Sequence, residues 1–86
     1  MEIIINTLLK DEKMLHELII DQFGNYIIQR ILFIVEREKR SLLIHYIVNW
    51  YPEIKALSFG PRLISKLHER YQEFTLIIII IFIKPI

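Results

Sequence analysis

The stretch Asp21-Gln22-Phe23-Gly24-Asn25-Tyr26-Ile27-Ile28-Gln29-Arg30-Ile31-Leu32 has a second, looser copy downstream in Phe59-Gly60-Pro61-Arg62-Leu63-Ile64-Ser65-Lys66-Leu67. Phe23-Gly24 returns as Phe59-Gly60, so the period is 59 minus 23, or 36 residues. The register holds beyond the dipeptide. Ile27, Ile28, Arg30 and Ile31 align with Leu63, Ile64, Lys66 and Leu67, and Glu17 and Leu18 with Glu53 and Ile54, each keeping its chemical class. A period of this size marks a helical unit that cannot bury its apolar face alone and stacks on its neighbours. The expected fold is all-α, an α-solenoid fragment.

Working outward, the apolar spacing predicts three helices per unit. Leu15, Leu18 and Ile19 mark a short first helix ending near Asp21, and Phe23-Gly24 is the bend after it. From Asn25 a stripe of Ile28, Ile31, Leu32 and Val35 predicts a second helix to about Glu36. The charged run Arg37 to Arg40 reads as a turn. Leu42, Leu43, Tyr46, Ile47 and Trp50 then define a third helix. Pro52 falls where the next unit's first helix begins, a position that tolerates proline. Trp50, Tyr46 and Tyr51 are placed for packing between units rather than for a cofactor.

Composition narrows the function. With 53% hydrophobic and 24% charged residues among 86, the chain has enough apolar material for one small domain, and its two glycines and three prolines favour long helices over a turn-rich sheet. No cysteine is present, which removes disulfides and thiolate metal sites. The formal charge of +1 argues against a purely electrostatic grip on nucleic acid, so any such contact must rest on particular side chains. His16, His45 and His68 lie 29 and 23 residues apart, which matches no local metal-ligand spacing. Ser41, Ser58 and Ser65 lie in no nucleophile-elbow sequence, and no glycine-rich loop could cradle a phosphate group. Neither an enzyme, nor a metal, nor a cofactor is expected. Met1 to Ile5 lacks the basic region of a signal peptide, making a cytoplasmic location the default expectation.

On a helix, residues four apart stand one above the other, so Asn25 and Gln29 can direct two amides at one planar edge with Tyr26 beside them. Amides carry donors and an acceptor, matching the mixed edge of a nucleic-acid base, and a tyrosine ring offers a face for stacking. Taken alone, the triplet reads more simply as a polar helix face.

The segment 21–32 closely resembles the core of a Pumilio (PUF) repeat, and Ile54 to Leu67 resembles that family's final, degenerate capping repeat. The resemblance spans roughly residues 1–74. It implies single-stranded RNA binding, each unit presenting three residues of its second helix to one base: here Asn25, Tyr26 and Gln29, a combination similar to the family's uracil reader. The aligned triplet in the second unit is Pro61, Arg62 and Ser65, whose proline has no side-chain hydrogen bond to give. Arg62 is left as a residue that could stack on a base or meet a phosphate, with Arg30 or Lys66 assisting on the backbone.

The expected layout is a remnant helix of a preceding repeat over 1–13, a repeat with the base-reading motif over 14–49, a degenerate cap over 50–74 and an apolar tail over 75–86. The run Phe74 to Ile83 carries no charge and is too short for a membrane span. A last helix, an aggregation-prone strand and a product of an altered reading frame remain open for it. The resemblance implies binding to uracil-containing messenger RNA in control of translation or decay, without DNA or a membrane as partner. Two alternatives stand beside it: a helical-repeat fragment that binds proteins, and a ribosome-biogenesis relative gripping RNA without base preference.

Overall fold

The computed structural model describes residues 2–83. Seven α-helices and no strand are formed among them: α1 (Glu2–Lys10), α2 (Glu12–Ile19), α3 (Gly24–Ile34), α4 (Arg37–Asn49), α5 (Tyr51–Lys55), α6 (Gly60–Arg70) and α7 (Gln72–Phe82). The chain is an all-α helical-repeat fragment. Helices α3 and α6 have 11 residues each and begin at 24 and 60, the 36-residue step legible in the sequence. Each is followed by extended backbone, Val35-Glu36 after α3 and Tyr71 after α6, which turns the chain into the next helix.

The Phe-Gly bend owes its glycine to a close approach and not to an unusual torsion, since neither glycine has a positive φ. A Cβ on Gly24 would stand 2.6 Å from the carbonyl oxygen of Leu18, and one on Gly60 would stand 1.8 Å from that of Ile54. Leu18 and Ile54 are themselves 36 residues apart. The start of each second helix therefore presses on the end of the first at the same place in both units. No side chain fits there.

The two bends differ in how they are held. Before α3, the Asp21 carboxylate accepts from the backbone N–H of Phe23 at 2.8 Å and of Gly24 at 2.6 Å, satisfying donors that the helix start leaves free. Those two donors hold the Asp21 carboxyl below its ordinary pKa. The second unit has Leu57 at the aligned position and begins α6 with Pro61 in its first turn. At the far end of α3, Arg40 donates from Nε to the Leu32 carbonyl at 2.8 Å and from Nη2 to the Val35 carbonyl at 2.9 Å.

A single apolar core runs through both units, from Ile5 and Leu8 of α1 through Leu15, Ile28, Leu43 and Leu63 to Phe74 and Ile78 of α7. Tyr46, Trp50 and Tyr51 pack against it. Trp50 bridges the units: its ring centroid lies 4.8 Å from that of His16, whose Nε2 meets Glu53 at 2.8 Å. A second link joins α4 to α7, where the Ser41 hydroxyl donates to Glu73 at 2.9 Å.

One expectation needs correction, and one reading left open is decided. Arg37 to Arg40 are the first turn of α4, and the turn proper is Val35-Glu36, both extended. Charged, unbranched residues are good helix formers and sit well on an exposed first turn. The isoleucine run is helical through Phe82, although β-branched residues favour strands. Burial of Phe74 and Ile78 against the preceding helices overrides that preference. No helix of the described residues is long and apolar enough to cross a membrane.

Both ends of the described stack carry exposed apolar side chains. Leu63, on α6, is 2% exposed, whereas Ile27, its counterpart on α3, is 53% exposed. At the opposite end Leu76, Ile79, Ile80 and Ile83 are exposed on and just beyond α7.

Candidate nucleic-acid interface

Side chains of the second helices α3 and α6 meet at the face that carries the predicted site. A narrow cleft of about 10 Å³ between them is lined by Asn25, Tyr26 and Gln29 from α3, by Phe59 before α6, and by Arg62, Leu63 and Lys66 from α6. All four residues singled out in the sequence, Asn25, Tyr26, Gln29 and Arg62, thus line one cleft.

The amides are not both free, as spacing alone suggests. Asn25 is 3% exposed, the one buried polar residue among those described. Its Nδ2 donates to the carbonyls of Asp21 at 2.8 Å and Gln22 at 3.0 Å, which uses both of its protons to tie the bend to α3. Its Oδ1 accepts from Nε2 of Gln29 at 3.0 Å. Gln29 is half-buried and keeps one N–H and its carbonyl oxygen for other partners. Tyr26 is exposed beside it.

A second cleft, of about 310 Å³, continues from the first and shares Tyr26 and Gln29 with it, adding Arg30, Phe33 and Arg70. Four cations therefore line the combined surface, Arg30, Arg62, Lys66 and Arg70, and no carboxylate does. None of the four is in an ion pair among the described residues; the pairs present are His16–Glu53, Lys39–Glu2 and His45–Glu73, on other faces. Phe33 and Arg70 were missed in the sequence. The signal was there in the spacing: 62, 66 and 70 place three cations on one side of α6, and 26, 30 and 33 place Tyr, Arg and Phe on one side of α3. The face offers an aromatic surface, a donor–acceptor pair and unpaired positive charge, the combination suited to single-stranded nucleic acid.

Over 63 residues, 73% of its length, the chain is 40% identical to a Pumilio domain-containing protein of Schizosaccharomyces pombe. It spans 9% of that protein's length. No family model and no solved structure matches the chain. Fold and comparison together define a helical-repeat fragment similar to part of a Pumilio domain-containing protein.

Proposed function

We propose that the α3–α6 face binds single-stranded RNA without making or breaking a bond. The observation that carries this reading is the cleft in which Tyr26, Gln29 and Arg62 converge between two helices related by the 36-residue repeat. One base lies with its edge toward Gln29, which gives one N–H and accepts at Oε1, while the Tyr26 ring stacks on its face. Asn25 orients the Gln29 amide through their shared hydrogen bond. Arg62 stands one period after Tyr26, at the corresponding place on α6, and covers the base from the second unit or meets the phosphate beside it. Preference for uracil, a messenger RNA target, and a role in translation or decay in the cytoplasm follow from the resemblance of 21–32 to the Pumilio repeat.

Equilibrium binding of short uniform-base RNAs at moderate salt tests this, comparing the natural chain with Gln29→Ala and Tyr26→Ala. The expected result is a preference for U that Gln29→Ala removes, and a loss on Tyr26→Ala of about 1 to 3 kcal/mol, the usual range for stacking of a base on an aromatic ring. Equal binding of all bases that neither substitution changes would refute base reading.

A second reading is favoured by the apolar ends. Ile27 and the exposed isoleucines of α7 are apolar surfaces of the kind that join one helical unit to another, and they support a role in assembling with further protein. A pull on RNA that is wholly salt-dependent and blind to base would favour the third alternative, unspecific RNA binding.

A further inference from the structure

We infer that Arg30, Phe33 and Arg70 form a phosphate-binding corner, distinct from the base-reading triplet, that takes the phosphodiester next to the base held at Tyr26; the inference rests on the RNA reading above. These three residues line the 310 Å³ cleft together with Tyr26 and Gln29, so the corner opens directly onto the proposed base position. It lies about one to two helical turns further along both helices, since Arg30 and Phe33 follow Tyr26 by four and seven residues on α3 and Arg70 ends α6.

The guanidinium of Arg70 sits 6.0 Å from the centroid of the exposed Phe33 ring. The charge stands over the ring at the outer edge of cation–π range, and the N–H fork of this guanidinium is in no ion pair among the described residues. A fork of this geometry matches two oxygens of a phosphate. Arg30 supplies a second positive charge across the same cleft, and no carboxylate lines the cleft or pairs with either arginine among the described residues. Two unpaired guanidiniums at one concave spot repel each other, and an anion between them relieves this. The corner reads no base. It adds affinity and fixes where the strand passes.

The test is fluorescence anisotropy of labelled uniform-base RNAs across a salt series, with the natural chain, Arg70→Gln, Arg30→Gln, Arg70→Lys and Gln29→Ala, each first shown to melt cooperatively. Arg70→Gln and Arg30→Gln are each expected to weaken binding of every base about three- to tenfold, leaving the preference among bases unchanged, and to reduce the salt slope by about 0.7, the share of one phosphate in a single strand. Arg70→Lys keeps the slope, and Gln29→Ala changes the preference but not the slope. If the natural chain binds RNA with a base preference while both glutamine variants keep its affinity and slope, the corner is refuted and base reading stands. If the natural chain binds no RNA, the proposed function fails and takes the corner with it. Should Arg70→Gln fail to fold, Arg30→Gln decides by the same readout.

Discussion

Nε2 of Gln29 donates to Oδ1 of Asn25 at 3.0 Å, and Asn25 in turn donates both amide protons to the carbonyls of Asp21 and Gln22. The exposed end of this chain faces the cleft and the buried end secures the bend, so two neighbouring amides have different duties. Asn25→Ala is expected to destabilise the fold by about 1 to 3 kcal/mol, because it removes both hydrogen bonds that a buried side chain gives to the bend. Gln29→Ala should cost less, about 0.5 to 1.5 kcal/mol, since it removes a single hydrogen bond at a half-buried position. Urea unfolding of the two variants separates them; equal losses would contradict the division.

The glycines at 24 and 60 sit against backbone, which cannot move aside as a side chain can. Gly24→Ala and Gly60→Ala should each cost about 1 to 3 kcal/mol as overpacking does, with Gly60→Ala the worse because its added methyl meets the Ile54 oxygen more closely. Thermal melts would show it. A neutral or stabilising result at both positions would mean that the helices do not approach as described.

Asp21 makes stability depend on acid. Its folded pKa lies below the ordinary value of 3.8, because the N–H groups of Gly24 and Phe23 favour the charged form. A depressed folded pKa means that the stabilisation is complete above the unfolded value and is lost as pH falls through the folded one. Asp21→Asn should therefore melt lower than the natural chain near neutral pH, and the gap should shrink in the range below about pH 4. A gap that stays constant as the solution is acidified would exclude this source.

Ile78 and Ile80 distinguish helix from strand in the apolar run. Residues two apart share a face in a strand but stand nearly opposite on a helix, and here Ile78 is 0% exposed and Ile80 is 67% exposed. Ile78→Ala should cost about 2 to 5 kcal/mol as a core truncation, while Ile80→Ala should have little effect on stability. Ile80→Lys should leave the far-ultraviolet helical signal intact and raise the monomeric fraction in sedimentation, by placing a charge in an exposed apolar patch. Comparable destabilisation at 78 and 80 would point to a strand.

Much of the fold was legible because it is written twice. The Phe-Gly pair and the apolar positions after it repeat at 36 residues, and the second helices begin at that spacing. Pro52 marked a helix start for a local reason, its fixed φ and missing N–H, and it stands in the first turn of α5. The helical state of Thr75 to Phe82 was not legible, since their β-branched side chains pull the other way and only contact with the rest of the core settles it. Nor were Arg37 to Arg40 as a helical turn, because charge density indicates solvent exposure and leaves the backbone state undecided.

The candidate site divides in the same way. Residue types and helical spacing on their own determined that Asn25, Tyr26 and Gln29 belong to one face of α3, because position along a helix dictates direction. Tertiary structure alone decided that Arg62 and Lys66 share their cleft, that Asn25 turns inward to the bend, and that a chain of net charge +1 gathers four unpaired cations on one surface. A net charge is a sum over the whole chain, whereas a binding face depends on where packing sends each charge; here Arg30, Arg62, Lys66 and Arg70 line the two clefts and no carboxylate does.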